Sequence, residues 1–101
     1  QEERRRMNKY EAMFIIKPDL SEEDRKALLG QINDVVSKNN GTVLSGSIWS
    51  ERKKLYFVIK KYREGVYYLL QFDADPLTVK DISHAYGLNE NILRVLITRL
   101  E

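Results

Sequence analysis

The chain has 101 residues, of which 43% are hydrophobic and 32% charged, the size and balance of one globular domain with a single core. It contains no cysteine, which excludes disulfides, thiolate metal sites and cysteine nucleophiles and fits a reducing cytoplasm. No apolar run approaches the roughly 20 residues needed to cross a bilayer, so we expect a soluble protein.

The net charge is only +2, which by itself is weak evidence for a polyanionic partner. The distribution of the charges is more informative. Basic residues crowd the middle of the sequence: Arg52, Lys53, Lys54, Lys60, Lys61 and Arg63. The acidic residues gather elsewhere, so the pattern predicts a basic face on a nearly neutral protein.

The chain begins with a charged segment and continues into a strand. Residues 1–8 are predicted to form a flexible extension. Residues 9–17 are rich in aromatic and β-favouring side chains and are stopped by Pro18, which predicts a strand. Strand parity gives two apolar sets, as in a central strand: Tyr10, Ala12, Phe14 and Ile16 on one face, Met13 and Ile15 on the other.

A helix is predicted to follow. Ser21, with Asp24 three residues later, is typical of a capping-box start. Apolar residues then recur at helical spacing: Leu28, Ile32, Val35 and Val36. Asn40 and Gly41 are predicted to end the helix, with Gly41 supplying the positive φ that a helix C-terminus often needs.

Two β-rich stretches come next. Residues 42–62 favour one long strand with a bulge near residues 50–53, although two strands remain possible. Residues 63–65 are predicted to form a short turn into the strand at residues 66–73. One face of that strand is wholly apolar: Val66, Tyr68, Leu70 and Phe72. We therefore assign this face to the core.

The chain closes with a helix and a strand. Asp75 followed by Pro76 is typical of an N-cap with proline at the first helical position, and Gly87 is predicted to close the helix. Residues 92–99 favour a strand. The order β-α-β-β-α-β predicts an α+β, ferredoxin-like domain over residues 9–101, with a four-stranded antiparallel sheet and two helices on one face.

This fold serves many functions, so each function needs its own residues. The loop after the first strand carries Pro18 and Asp19 and no glycine, which is unsuited to cradling a phosphate. The single histidine, His84, has no recognisable nucleophile or orienting acid beside it. Neither an EF-hand spacing nor a Cys or His pair is present. We therefore predict no catalytic residue, metal ligand, cofactor or small-molecule substrate.

Basic residues interleaved with aromatics indicate RNA binding, because phosphates attract the charges and unstacked bases can lie on the rings. The candidate residues are Lys9, Tyr10, Arg52, Lys53, Lys54, Tyr56 and Arg94. The alternative is a solvated edge strand that lysines protect from aggregation. The residue pattern alone favours neither interpretation.

Four stretches carry a resemblance to a known family. They are a basic residue with Tyr-Glu and an apolar strand before proline (residues 9–18), a basic-basic-Leu-aromatic run (residues 53–56), a glycine-led aromatic strand (residues 65–72) and an Asn-apolar-basic-apolar sequence (residues 91–97). In this order they resemble the sixth protein of the bacterial small ribosomal subunit. Two departures stand out: Leu93 precedes Arg94 where many relatives have a second basic residue, and Phe57 and Val58 replace a small residue and a proline.

The resemblance implies a structural component of the cytoplasmic ribosome. It implies binding to the central domain of small-subunit rRNA, together with the eighteenth small-subunit protein, and no membrane partner. The positions that it carries over toward RNA are Lys9, Lys53, Lys54 and Arg94.

Strand parity also predicts a docking surface for the protein partner. If one face of each strand is core, large apolar side chains must lie on the other: Met13, Ile15, Tyr67, Leu69 and Leu96. A contiguous apolar patch usually marks a partner site, although long charged side chains can also cover such a surface. The alternative function is a regulatory, small-molecule-binding ferredoxin-like domain that dimerises, which should carry a glycine-bearing ligand loop.

Overall fold

The computed structural model describes residues 7–100. Their helices and strands follow in this order: β1 (Asn8–Ile16), α1 (Glu22–Lys38), β2 (Thr42–Ile59), β3 (Tyr62–Ala74), a 3-10 helix (Pro76–Thr78), α2 (Val79–Gly87) and β4 (Ile92–Arg99). Asn8 already belongs to β1, so the extension predicted for residues 1–8 reaches one residue too far toward the C-terminus. Its residues 1–6 lie outside the described part of the chain.

The four strands form one antiparallel sheet in the order β2-β3-β1-β4. β1 lies in the centre, with Ile15 opposite Tyr67 of β3 on one side and Arg94 of β4 on the other. Both helices contribute to the same buried cluster as Phe14 of β1 and Leu70 of β3. The predicted ferredoxin-like architecture is therefore confirmed.

The core lies between the helices and the inner face of the sheet. Its fully buried side chains come from every layer: Phe14, Leu28, Ile32, Leu70, Phe72, Ile82 and Tyr86 are among them. Burying one such side chain completely is worth roughly 1.5–3 kcal/mol. The Tyr86 ring meets Phe14 edge-on at 4.8 Å between centroids, and its hydroxyl donates to the Ile32 carbonyl at 2.8 Å. This contact fixes α2 against both the sheet and α1.

The ends of α1 follow its sequence signals with one exception. Ser21 accepts a hydrogen bond from the Asp24 N–H at 3.0 Å, as the capping motif predicts. At the other end Asn40, with a φ of 64°, takes the left-handed conformation that was predicted for Gly41. Asn tolerates this region better than most residues. Gly41 meets a different need, because a Cβ there would lie 2.7 Å from the Asp73 carbonyl oxygen.

The second helix begins later than predicted. Asp75 does act as a cap, accepting from the Leu77 N–H at 2.9 Å, but the turn that it caps is the 3-10 helix. The α-helical geometry of α2 starts only at Val79 and ends at Gly87, as predicted for its C-terminal boundary.

The hairpin between β2 and β3 turns at a different place from the predicted one. β2 is one irregular strand, as expected, and Lys60–Lys61 make the turn, both with positive φ of 49° and 77°. The prediction of a turn at residues 63–65 was wrong because Gly65 serves another purpose. It lies within β3, where a Cβ would come within 2.5 Å of the Ile15 Cγ2.

Candidate functional site

The sheet face opposite the helices, here called the outer face, carries most of the predicted binding residues. Tyr67, Ile15 and Arg94 form one row across β3, β1 and β4. The neighbouring row contains Leu69, Met13 and Leu96 in the same strand order. Both rows point away from the core, because the residues that alternate with them on β1 and β3 belong to the core cluster and those on β4, Val95 and Ile97, pack against it.

A shallow cleft lies within these two rows. It encloses about 180 Å³ and is lined by Met13, Ile15, Tyr67, Arg94 and Leu96. Leu96 is 61% exposed, whereas Ile15 at the floor is only 8% exposed. The structure therefore brings together four of the five residues predicted to contact a protein, and Leu69 lies directly opposite Met13.

An aromatic pair with a lysine continues the outer face onto β2. The Trp49 and Tyr67 ring centroids are 5.7 Å apart, and the Lys53 Nζ lies 5.6 Å from the Trp49 centroid and 6.0 Å from that of Tyr67. Such cation–π contacts contribute about 0.5–1 kcal/mol at exposed sites and orient the lysine. Sequence reasoning missed Trp49, although a single tryptophan beside a basic run is a recognisable signal.

Lys53 and Arg94 therefore lie on either side of Tyr67. These two of the residues predicted for RNA therefore share one continuous surface with the residues predicted for a protein partner. At this surface, cations flank an apolar cleft, which combines the side-chain types that contact phosphates with those found in the core of protein interfaces.

The remaining predicted basic residues are more dispersed. The Arg52 guanidinium pairs with the Glu64 carboxylate across the hairpin, while Lys54 is exposed. Lys9 is also exposed but pairs in register with Asp73 near the other end of β3. Lys53 pairs with Gly65, which lies eight residues before Asp73 on β3. At the rise of a β-strand, this separation places Lys9 about 25 Å from Lys53 along the sheet.

The two tyrosines predicted to stack on bases have opposite environments. Tyr10 is only 6% exposed, and its ring lies against Phe72 at 5.7 Å between centroids, so the ring is part of the core and is not free to stack on a base. Tyr56 is 101% exposed, so its whole ring meets solvent.

Among the described residues, the titratable groups with a shifted pKa are tyrosines. Burial raises the pKa of Tyr68 and, with a smaller contribution from Tyr68, that of Tyr86. The pKa of Tyr62 is raised by desolvation and, to a smaller extent, by the Asp19 carboxylate. The Tyr62 hydroxyl donates a hydrogen bond to that carboxylate at 3.2 Å. His84 is exposed on α2. Residues 7–100 contain no group of three or more side chains suited to a metal ion.

No helix in the described part of the chain combines the length and apolar character that a bilayer crossing requires. Fold and surface together define a ferredoxin-like α+β domain with an outer face that is both apolar and basic. The family model described as ribosomal protein S6 matches residues 9–99. The chain belongs to the ribosomal protein S6 family, as its sequence motifs predicted.

Individual relatives agree with this assignment. The chain is 36% identical over 95 residues to small ribosomal subunit protein bS6 of Thermoanaerobacter pseudethanolicus, covering 94% of this chain and 99% of the relative. It is 38% identical over 95 residues to the bS6 protein of Clostridium perfringens, with the same coverage.

Solved structures agree as well. The crystal structure of 30S ribosomal protein S6 from Thermotoga maritima superposes with a TM-score of 0.83 at 26% identity, covering 93% of this chain and 88% of that one. The P2 domain of a Thermotoga maritima chemotaxis kinase, solved with its response regulator, reaches a TM-score of 0.58 at 14% identity. That second likeness shows the fold alone.

The family consists of structural proteins of the small ribosomal subunit. Its members include bacterial small-subunit proteins, which places this chain on the cytoplasmic ribosome. Family membership favours the ribosomal interpretation over the alternative of a regulatory, dimerising domain.

Proposed function

We propose that this chain is a non-enzymatic subunit that binds the central domain of small-subunit rRNA together with the eighteenth small-subunit protein. The observation that carries the proposal is the arrangement of the outer face, where Lys53 and Arg94 flank the apolar cleft at Tyr67. Charge and apolar surface at one site suit a composite partner of RNA and protein. Family membership and the resemblance described above support the same partners.

RNA binding at this site rests on electrostatic positioning. Lys53, Lys54 and Arg94 provide exposed cations at the same end of the sheet, and Lys9 provides another near the opposite end. Phosphate contacts of this kind position a protein on RNA without reading its sequence, and each releases condensed counterions. Affinity should therefore fall steeply with salt.

Replacing Lys53 and Lys54 together by Ala tests this part of the proposal. We expect weaker binding to a central-domain rRNA fragment and a slope of log K against log salt that is flatter by about 1–2, because each lost phosphate contact removes about 0.7–0.9 from the slope. Filter binding or fluorescence anisotropy over a salt series measures both quantities.

The matched control replaces Lys26 and Lys80 by Ala. These exposed lysines lie on α1 and α2, on the opposite side of the sheet, and their loss changes the net charge equally. An unchanged slope for the Lys53/Lys54 variant, or the same change in both variants, would show that the RNA does not bind at this surface.

Protein binding rests on the apolar cleft. Replacing Ile15 and Leu69 together by Ser should weaken binding of the eighteenth small-subunit protein by removing apolar contact area. Since Ile15 is nearly buried, Leu96→Ser provides a second variant at a position that is 61% exposed. Calorimetric titration of the partner into each folded variant measures the affinity.

Leu77→Ser and Leu88→Ser are suitable controls, because these exposed leucines lie on the helical side at 85% and 71% exposure. If the Leu96 variant and the folded double variant bind the partner as tightly as the controls do, the interface lies elsewhere.

A further inference from the structure

The end of the β2–β3 hairpin, residues 51–64 and here called the distal hairpin, projects beyond the rest of the sheet. The ladder between β1 and β3 stops at the pair Ile16 and Val66, so β3 residues before Val66 pair with β2 alone. The molecule accordingly measures 51 Å along its longest axis but only 27 and 21 Å across. A projecting hairpin can reach a ligand that the sheet itself does not touch.

The distal hairpin contains an unpaired bulge. Lys54 lies opposite Glu64 and Ile59 opposite Tyr62, so five steps along β2 match only two along β3. The intervening residues 55–58 have no partner in the register of β3. We call these four residues the aromatic bulge. A bulge of this kind directs side chains away from the ladder.

The aromatic bulge presents large apolar groups to solvent. Tyr56 is 101% exposed, Phe57 66% and Val58 52%, although the core of the same domain is well packed. The bulge borders a cavity of about 410 Å³, which Lys54 and Arg63 also line. Two exposed rings on one short segment provide flat surfaces on which another planar group can stack.

The charge around these rings is strongly positive. The distal hairpin contains six Lys and Arg and two Glu, a net charge of +4 against +2 for the whole chain. Both acids are engaged, Glu51 by Arg25 at 3.0 Å and Glu64 by Arg52. Among the described residues of the distal hairpin, four exposed cations have neither an ion pair nor a cation–π contact: Lys54, Lys60, Lys61 and Arg63.

The turn of the hairpin adds cations at its apex. Lys60 and Lys61 both adopt positive φ, a conformation usually taken by Asn and Gly in such turns. They border a second cavity, of about 450 Å³, together with Lys17, Tyr62 and one acidic residue, Glu90. Cations therefore lie on both sides of the aromatic bulge along the chain, Lys54 before it and Lys60 and Lys61 after it.

We propose that the aromatic bulge is a stacking site for unpaired nucleobases of single-stranded RNA, with Tyr56 and Phe57 as platforms and the four unpaired cations holding the phosphates. This inference rests on the proposed function and adds the class of RNA that the distal hairpin binds. Charge complementarity favours RNA as the occupant, because a polyanion satisfies all four cations at once. Duplexes hide their base faces, so stacking selects single strands.

The test measures binding of the full chain to a short oligoribonucleotide that cannot pair with itself and that carries a fluorescent adenine analogue. Tyr56→Ala should weaken binding about tenfold and abolish the quenching that accompanies stacking, since base–aromatic stacking contributes that order of affinity. Tyr56→Phe should retain both, because the ring remains. A blunt RNA duplex of equal length should bind wild type and Tyr56→Ala alike.

Val58→Ala is the matched control, since it removes exposed apolar area from the same bulge and leaves the rings in place. The full exposure of Tyr56 means that its replacement should leave the thermal midpoint unchanged. A double variant, Tyr56→Ala with Phe57→Ala, that binds the single strand as tightly as wild type would overturn the proposal. Equal weakening for single strand and duplex would overturn it too.

A central-domain rRNA fragment separates this inference from the proposed function. If wild type binds the fragment but the Tyr56 and Phe57 variants bind every RNA as wild type does, the stacking proposal is wrong and the proposed function is still supported. If oligonucleotide binding depends on Tyr56 but the fragment does not bind, the stacking site stands and the proposed function fails.

Discussion

Tyr86 shows how a single residue connects burial, hydrogen bonding and pH. Its ring is 1% exposed between the helices and the sheet, and its hydroxyl donates to the Ile32 carbonyl. Burial disfavours the phenolate, which raises the pKa of Tyr86 above its ordinary value. The folded protein therefore holds this proton more tightly than the unfolded chain does.

The pH dependence of stability follows from that difference. Between the unfolded pKa, about 10, and the higher folded value, the unfolded chain binds fewer protons, so the free energy of unfolding falls as the pH rises. One such group contributes a slope of about 1.4 kcal/mol per pH unit in this window. The contribution is fully present below pH 10 or so.

Tyr86→Phe should lower the free energy of unfolding at neutral pH by roughly 1 kcal/mol, through the lost hydrogen bond, and flatten its decline at alkaline pH. Chemical denaturation at a series of pH values measures both effects. The pKa of Tyr68 is also raised by burial, so the free energy of unfolding should still decline somewhat at alkaline pH in both proteins. Identical alkaline slopes in wild type and variant would contradict the assignment.

At the scale of one element, the β2–β3 turn combines a demanding backbone with basic side chains. Two successive non-glycine residues with positive φ are unfavourable, at about 1 kcal/mol each for ordinary side chains. Lys60 and Lys61 occupy these positions. The two lysines thus place positive charge at the apex of the hairpin and lower the local stability of the turn.

Lys60→Asn combined with Lys61→Gly should therefore stabilise the protein by roughly 1–2 kcal/mol, because Asn-Gly suits this turn. Urea denaturation measures the change. The control, Lys60→Gln with Lys61→Gln, removes the same charge without relieving the backbone and should change stability little. Equal stability of the two variants would show that charge repulsion, and not backbone conformation, limits the turn.

At the scale of the whole molecule, the domain divides into a compact part and the projecting distal hairpin. β1 is paired on both sides and its inner face is buried, whereas residues 55–58 have no ladder partners. Local opening requires less free energy where few contacts must break. Stability should therefore be uneven along the hairpin, highest near Leu70 and lowest in the aromatic bulge.

Amide hydrogen exchange measures this gradient directly. We expect the amides of Ala12, Phe14 and Leu70 to exchange only through global unfolding and those of residues 55–58 to exchange rapidly. The paired residues of the same hairpin, such as Ile48, should exchange at an intermediate rate. Slow exchange within the aromatic bulge would mean that its backbone is bonded and not free to adapt to a ligand.

Local signals in the sequence were sufficient for the order of elements, the sheet and the family. The apolar alternation of β1 and β3 assigns Phe14 and Phe72 to the core. The Ser21 and Asp75 caps accept hydrogen bonds from N–H groups only two or three residues further along the chain. Such features depend on spacing of a few residues along the chain. The outer-face residues followed for the same reason, since strand parity fixes which side chain opposes which.

Tertiary structure decided what depends on distant partners. Tyr10 and Tyr56 look alike beside their lysines, yet pairing with β3 buries the first against Phe72 and the bulge exposes the second. Gly65 resembles a turn residue until Ile15 of another strand approaches it. Lys53, Tyr67 and Arg94 likewise share one surface only when all four strands come together, because β1 lies between Tyr67 and Arg94. This depends on the register between segments and not on the local sequence of any one of them.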